Sequence, residues 1–138
     1  MEREAQVGGR ILLVDDDPNV LAGYVRQLRK SFDLTTAQGA EAALGVLAAG
    51  PPFAVVVSDL RMPRMDGIEF LGRVRESHPD TVRMMLTGYA DLTSAIAAVN
   101  QGSVFRFLTK PCETADLAKA LVDGIRQYRL VTAERELL

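Results

Sequence analysis

The chain has 138 residues, enough for one globular domain with a buried core and a short extension. A net charge of −2 and a pI of about 5.4 provide no basic surface of the kind that nucleic acids or anionic membranes attract. The single cysteine, Cys112, excludes an internal disulfide and fits a reducing compartment. Because the sequence contains neither a membrane-length apolar segment nor a signal-peptide pattern, we expect a cytoplasmic protein without direct membrane or nucleic-acid contact.

Strand and helix patterns alternate along the chain after a charged, glycine-containing segment, residues 1–9, that we expect to be a flexible lead-in. Short apolar runs predict buried strands at residues 10–14, 34–37, 53–58, 83–86 and 104–108. Between and after them, apolar residues recur every three or four positions and predict helices at 18–30, 40–49, 68–78, 92–101 and 114–128.

Helix signals mark several of these boundaries. Asp17 is a predicted N-cap and is followed by Pro18, which favours the first helical position. Asp91 is the predicted N-cap of the fourth helix. The apolar face of that helix is predicted to carry Ala95, Ile96 and Val99.

Five strands that alternate with five helices predict a doubly wound α/β fold, in which one parallel sheet carries helices on both faces. In such a sheet, ligands bind beyond the carboxyl ends of the strands, where the strand order reverses. With the order 2-1-3-4-5, the first and third strands are neighbours at this edge. We expect a single domain of this kind over residues 10–128.

Polar residues follow four of the predicted strands. Asp15 and Asp16 follow the first, Asp59 the third, Thr87 the fourth and Lys110 the fifth. Converging carboxylates repel one another unless a hard divalent cation such as Mg²⁺, or Mn²⁺ in its place, is bound. Each residue alone has an ordinary interpretation as a helix cap, turn residue, strand-end hydroxyl or solvated charge. Together, at matching strand ends, they favour a phosphoryl-transfer site.

Asp59 is the candidate nucleophile, because a carboxylate can attack phosphorus and form an acyl phosphate. Catalysis of such a transfer depends mainly on positioning and on charge neutralisation. Lys110 would neutralise one side of the phosphoryl group, and the Thr87 hydroxyl would donate a hydrogen bond to another of its oxygens.

Taken together, these motifs resemble the receiver domain of bacterial two-component response regulators over residues 10–127. The resemblance implies a flavodoxin-like (βα)₅ fold and a phosphoryl group received from a histidine kinase or a histidine phosphotransfer protein. The motifs that carry it are Leu13-Val14-Asp15-Asp16-Asp17, Ser58-Asp59-Leu60-Arg61-Met62-Pro63 with Asp66-Gly67, Leu86-Thr87-Gly88 and Leu108-Thr109-Lys110-Pro111.

The resemblance also assigns individual roles at the metal and phosphate sites. It implies that Asp59 accepts the phosphoryl group and that Thr87 and Lys110 contact it. It further implies that Asp16, Asp59 and the main-chain carbonyl of Arg61 bind Mg²⁺ directly, whereas Asp15 acts largely through water.

Switching is the second set of roles that the resemblance implies. Phe107, three residues before Lys110, takes the position of the aromatic switch residue, and a cis peptide is expected before Pro111. When a phosphate draws in Thr87, Phe107 would turn inward. The face formed by helix 4, strand 5 and helix 5 would then change and be read by a partner.

Two flanking residues are candidates for tuning the phosphate lifetime. Arg61 and Tyr89 lie two residues past Asp59 and Thr87, so we expect them to overhang the pocket and to hinder an attacking water. The alternative is that both are ordinary exposed loop side chains.

Beyond Tyr128 the apolar spacing continues, and residues 129–138 are expected to extend the last helix toward a missing output domain, with a solvated helix end as the alternative. The sequences of residues 105–112 and 134–138 resemble those of regulators with an HD-type phosphohydrolase output. We also expect a phosphorylation-dependent homodimer.

Two other classes of function stay open. One is a Mg²⁺-dependent phosphohydrolase with an aspartyl-phosphate intermediate, although the chain has no cap insertion to hold a substrate. The other is a pseudo-receiver that serves only for protein contact, against which the complete set of acidic residues argues.

Overall fold

A computed structural model describes residues 7–137. The first six residues of the predicted lead-in and Leu138 lie outside the described residues. The strands are β1 (Val7–Asp15), β2 (Phe32–Gln38), β3 (Val55–Asp59), β4 (Val82–Thr87) and β5 (Arg106–Thr109). The helices are α1 (Pro18–Leu28), α2 (Ala40–Ala49), α3 (Gly67–Ser77), α4 (Leu92–Asn100) and α5 (Thr114–Leu137), and a short 3₁₀ turn (Tyr89–Asp91) precedes α4.

All five strands are parallel and lie in the order β2-β1-β3-β4-β5, which confirms the predicted fold. Successive residues of β3 face opposite sides of the sheet. Val56 packs in the apolar layer beneath α2, α3 and α4, whereas Val55 and Val57 pack beneath α1 and α5. Because both faces are covered, the strands are continuously apolar instead of alternating.

The first strand begins at Val7, three residues earlier than predicted. Val7 pairs with Phe32, and the register then shifts before Arg10 pairs with Asp33. Gly9 lies at this shift with φ = 115°, and a Cβ there would be 3.1 Å from the Ala54 side chain. The glycine pattern that resembled a flexible segment is therefore a local irregularity in strand pairing.

The fourth helix differs from the prediction in two respects. Ile96 is 49% exposed, and its predicted place in the core is taken by Ala98, three residues after the buried Ala95. Asp91 makes no side-chain hydrogen bond to the helix N-terminus, since its carboxylate accepts from Arg61 instead.

The last helix is continuous over 24 residues, well past Tyr128. A Cβ on Gly124 would lie 2.6 Å from Met84 Cε and 3.0 Å from Val55 Cγ2, so this glycine allows α5 to approach the sheet closely. Near the end of the helix, Arg135 donates to Asp80 Oδ1 at 2.7 Å. Within residues 7–137, the helices are too short or too polar to span a membrane.

Candidate functional site

The carboxyl ends of β1, β3 and β4 bring the predicted site residues to one edge of the sheet. Val14 pairs with Ser58, so Asp15 and Asp59 are the next residues along two neighbouring strands. Asp59 pairs with Leu86, and Thr87 follows directly on β4. β1, β3 and β4 end on Asp15, Asp59 and Thr87 themselves, one residue later than predicted in each case.

Three carboxylates form an acidic cluster at this edge. Asp15, Asp16 and Asp59 each offer an oxygen, and these oxygens lie within 4.8 Å of one another. Asp15 and Asp59 are only 2% and 6% exposed, whereas Asp16 faces solvent. Like charges held this closely with little water favour a bound cation.

Asp15 is the acid of this cluster with a buried oxygen that lacks a hydrogen-bond partner among the described residues. Its Oδ1 accepts from the Asp17 N–H at 2.9 Å, but its buried Oδ2 has no hydrogen-bond partner within residues 7–137. Burial raises the pKa of Asp15, the bond from Asp17 opposes that rise, and the neighbouring charge of Asp59 adds to it. An orphaned, buried carboxylate oxygen fits a metal ion or a metal-bound water as its missing partner.

The turn after β1 fixes the backbone of these acids. Asp17 caps α1 as predicted, with its side chain accepting from the Asn19 N–H at 2.9 Å. The Asp15 carbonyl accepts from the Gly39 N–H at 3.0 Å, and the Asp16 carbonyl accepts from Gln38 Nε2 at 3.2 Å. The loop that follows β2 therefore holds the acidic turn in place.

Lys110 reaches the acids from the end of β5. Its Nζ lies 2.7 Å from Asp59 Oδ1 and 4.0 Å from Asp15 Oδ2. The main-chain N–H of Lys110 donates to the Thr87 carbonyl at 2.9 Å, and the peptide between Lys110 and Pro111 is cis. One ammonium group thus contacts the candidate nucleophile and approaches a second acid.

Thr87 and Phe107 lie on the two strands beside the acids. Thr87 is 1% exposed, and its hydroxyl donates to the Gly88 carbonyl at 3.2 Å. Phe107 is half-buried against the apolar layer that contains α4. The Thr87 hydroxyl is therefore bonded within its own loop, and Phe107 lies on β5, where it pairs with Met85 of β4.

Gly67 is a residue of the site that the sequence reasoning missed. A Cβ at this position would lie 2.3 Å from the Asp59 carbonyl oxygen and 3.0 Å from Leu60 Cα. Its N–H donates to the Leu60 carbonyl at 2.8 Å. The start of α3 is therefore packed directly on the backbone of the candidate nucleophile. The Asp66-Gly67 pair belongs to the motifs of the resemblance, but the sequence assigned it no role in the site.

The loop between Asp59 and Gly67 contains a tight turn. The Met65 N–H donates to the Pro63 carbonyl at 2.8 Å, and Arg64 between them has φ = 70°. A positive φ at an arginine is unfavourable, so the surrounding structure imposes it.

Arg61 forms an ion pair with Asp91 that the sequence did not predict. Its Nε donates to Asp91 Oδ2 at 3.0 Å, and its Nη2 donates to Oδ1 of the same carboxylate. This pairing lowers the pKa of Asp91. The Arg61 side chain is 78% exposed, and Tyr89, the other predicted flanking residue, is 73% exposed. Arg61 thus connects the loop after β3 to the loop after β4.

A doubly wound sheet of this order, with three acids, a lysine and a buried hydroxyl at its carboxyl edge, defines the class of protein. The family model of the response regulator receiver domain matches residues 11–122, and the chain belongs to this family.

Among curated relatives, the hydrogenase transcriptional regulatory protein HoxA of Bradyrhizobium diazoefficiens is 34% identical over 124 residues. The alignment covers 90% of this chain and 25% of HoxA. The chain thus spans about a quarter of HoxA, and it spans 68% of the photosynthetic apparatus regulatory protein RegA of Rhodovulum sulfidophilum, to which it is 34% identical.

Two solved structures are similar over nearly their full length. One, described as an adenylate cyclase from Rhodopirellula baltica, is 46% identical with a TM-score of 0.93, over 95% of this chain and 97% of that one. The other, the signal receiver domain of an HD domain-containing protein from Pseudomonas fluorescens, is 33% identical with a TM-score of 0.80, over 87% and 96%.

Proposed function

We propose that this receiver domain accepts a phosphoryl group on Asp59 from a histidine kinase or a histidine phosphotransfer protein, and that the modification switches a signalling surface. The observation that carries the proposal is the 2.7 Å contact of Lys110 Nζ with Asp59 Oδ1, beside the acidic cluster. Receiver domains are signalling switches, and this agrees with a site whose own aspartate is phosphorylated, in place of an active site that turns over a separate substrate.

Mg²⁺ is the proposed cofactor, with Mn²⁺ as a substitute. Asp16, Asp59 and the main-chain carbonyl of Arg61 would hold it, with Asp15 acting largely through water. The unpartnered Oδ2 of Asp15 and the convergence of three carboxylates support this fit. When bound, the ion supplies charge neutralisation at the phosphoryl oxygens.

Transfer to Asp59 requires positioning and charge compensation more than acid–base chemistry. An Asp59 carboxylate oxygen attacks the phosphorus, the phosphorus–nitrogen bond of the donor's phosphohistidine breaks, and its electron pair returns to the imidazole. Lys110 balances charge on the phosphoryl group as a point charge. Because Asp59 is 6% exposed, its surroundings leave little water to compete as a nucleophile.

Thr87 would report the arrival of the phosphate. Its present bond to the neutral Gly88 carbonyl is 3.2 Å long, whereas a bond to a phosphate oxygen would be charge-assisted and stronger. Exchange of the two bonds would draw Thr87 toward Asp59 and leave space into which the half-buried Phe107 turns. The face of α4, β5 and α5 would change as a result.

Arg61 and Tyr89 are the proposed modulators of phosphate lifetime. Both are exposed and both follow site residues by two positions, so their side chains would hinder the approach of water to an acyl phosphate. Arg61→Ala would then accelerate loss of the label, measured by the decay of phosphorylated protein after removal of the donor. An unchanged decay rate would remove Arg61 from this role.

The partners downstream follow from the same proposal. An HD-type phosphohydrolase output has support from the Pseudomonas fluorescens receiver, while the more similar Rhodopirellula baltica structure is described as an adenylate cyclase. We propose that α5 leads to an output domain, that phosphorylation promotes a homodimer, and that the protein acts in the cytoplasm.

Acetyl phosphate with Mg²⁺ provides the direct test. Intact mass spectrometry should show one added phosphoryl group on the wild type, none on Asp59→Asn, and an unchanged yield on Asp33→Asn, which alters an exposed carboxylate on β2. Equal labelling of wild type and Asp59→Asn would contradict the assignment. Multiple turnover of a small phosphomonoester would instead favour the phosphohydrolase alternative, and absence of Mg²⁺ binding would favour the pseudo-receiver.

A further inference from the structure

The start of α4 lacks the aspartate cap that α1 and α3 have. Asp17 and Asp66 each accept a hydrogen bond from an N–H in the first turn of α1 and α3, at 2.9 Å. Asp91 occupies the corresponding position before α4 but makes no side-chain cap, because both of its carboxylate oxygens accept from Arg61. A residue type suited to capping is thus engaged elsewhere.

The far end of α4 is held in a different way. Arg75 Nη1 donates to the Gln101 carbonyl at 2.9 Å, and Arg83 Nε donates to the Ser103 carbonyl at 2.9 Å. Arg83 also donates to the Gly102 carbonyl at 3.3 Å and is partly buried. The carboxyl end of α4 therefore has several charge-assisted bonds, whereas the Arg61–Asp91 ion pair ties its start to the loop after β3.

The position of that ion pair connects it to the site. Arg61 lies two residues after Asp59, and Asp91 lies four residues after Thr87. The pair therefore bridges the two loops between which a phosphoryl group on Asp59 would sit. Gly88 and the 3₁₀ turn Tyr89–Asp91 connect Thr87 directly to Asp91 along the chain.

We propose that Asp91 alternates between two partners: the Arg61 guanidinium in the arrangement described, and the first-turn N–H groups of α4 once Thr87 is drawn toward a phosphorylated Asp59. The second half of this inference rests on the proposed function. The ion pair and an N-cap contribute comparable free energies, so one can replace the other once the Asp91 backbone changes from φ = −110°, ψ = 14° to the extended conformation of a capping residue. The start of α4 would then shift while its other end stays fixed. Asp91 is a positioning residue for α4, not a catalytic one.

The two single variants separate this exchange from a simple tie between loops. Arg61→Ala frees Asp91 to cap α4, so the Thr93 and Ser94 amides should exchange hydrogen at least about threefold more slowly in the unphosphorylated protein. Asp91→Ala removes both partners, and the same amides should exchange faster. Arg61→Lys, which keeps the charge but not the planar two-point contact, should fall between wild type and Arg61→Ala.

Arg73→Ala is the matched control, because it breaks an exposed ion pair with Glu69 that lies within one helix. It should leave the exchange of the α4 amides unchanged. If Arg61→Ala accelerates exchange at Thr93 and Ser94 as Asp91→Ala does, the pair is only a tie and the inference is overturned.

Beryllofluoride with Mg²⁺, a phosphoryl analogue, tests the trigger. Its binding should slow exchange at Thr93 and Ser94 by about threefold in the wild type and add little in Arg61→Ala, where the cap is already formed. If beryllofluoride binds to the wild type but leaves the exchange rates of these amides unchanged, only the dependence on phosphorylation is overturned. If the wild type does not bind beryllofluoride at all, the proposed function and the dependence on phosphorylation are both overturned. The exchange rates of Arg61→Ala and Asp91→Ala without ligand still decide whether Arg61 and α4 compete for Asp91.

Discussion

The starts of α3 and α4 make an instructive comparison, because each helix follows a strand that ends in the site. α3 begins with a formed Asp66 cap and with Gly67 packed on the Asp59 backbone. α4 begins after a 3₁₀ turn with an exposed Tyr89 and an Asp91 that caps nothing. The start of α3 is thus fixed by a formed cap and by close packing on the backbone of the nucleophile, whereas the start of α4 has neither contact.

Removal of the close approach at α3 should have the largest effect. In Gly67→Ala the added Cβ would meet the Asp59 carbonyl oxygen at 2.3 Å, and backbone atoms cannot yield as a flexible side chain can. We expect a loss of unfolding free energy of about 3 kcal/mol and loss of phosphorylation, measured by urea denaturation and by intact mass.

Gly72→Ala provides the control for that substitution. It lies in the same helix, and among residues 7–137 its added Cβ would meet nothing within 4 Å apart from its chain neighbours and the backbone of its own helix. It should stabilise the protein by up to about 1 kcal/mol, because alanine is the better helix former. A Gly67→Ala protein as stable as the wild type would show that the start of α3 is not fixed by this contact.

The buried charge of Asp15 should cost stability that a bound metal relieves. The raised pKa of Asp15 means that its ionised form is less favourable in the folded than in the unfolded protein, so ionisation at neutral pH reduces stability. Asp15→Asn should therefore raise the metal-free melting temperature and abolish most of the stabilisation by Mg²⁺. The exposed Asp33→Asn should do neither, and a lowered melting temperature for Asp15→Asn would contradict the argument.

A direct contrast of the two helix starts should give a smaller difference. Asp66→Ala removes a formed cap and should reduce the unfolding free energy by about 1 kcal/mol. Asp91→Ala removes no cap and should reduce it by less, both values being measured by urea denaturation. Equal losses for the two variants would mean that the two helix starts do not differ in the way described.

The smallest expected effect lies in the loop before α3. Arg64 has φ = 70°, a conformation that glycine adopts without steric penalty. Arg64→Gly should stabilise the protein by about 0.5 kcal/mol or less, since relief of strain is partly offset by the entropy of glycine in the unfolded chain. Thermal denaturation against wild type measures it, and destabilisation would show that relief of strain at Arg64 is smaller than the entropy cost of glycine.

The sequence predicted those parts of the site that follow from strand ends. Once the strands were assigned, the convergence of Asp15, Asp59 and Thr87 followed, because carboxyl ends of parallel strands share an edge. Features that depend on close approach did not follow, since a glycine under a carbonyl, as at Gly67, has the same sequence signal as a glycine in a turn.

Asp91 shows a second reason for the limits of prediction. An aspartate before a helix predicts a cap, but the same carboxylate can accept from an arginine that is distant in sequence, and local pattern cannot choose between them. Ile96 fits the apolar face of the helix as well as Ala95 does, yet the helix packs on the sheet through Ala95 and Ala98 and leaves Ile96 exposed. Both outcomes are decided by tertiary contacts.

The continuous helix α5 also sets the rotational orientation of any segment fused to its end. Because Gly124 brings the helix against β3 and β4, and Arg135 joins its last turns to Asp80, whatever is fused after residue 137 begins on a defined helical angle. One residue inserted into the exposed end of α5 would turn such a fusion by about 100° and advance it by about 1.5 Å, whereas seven would nearly restore its facing. Chimeric regulators built on this domain should therefore gain and lose signal with the periodicity of a helix.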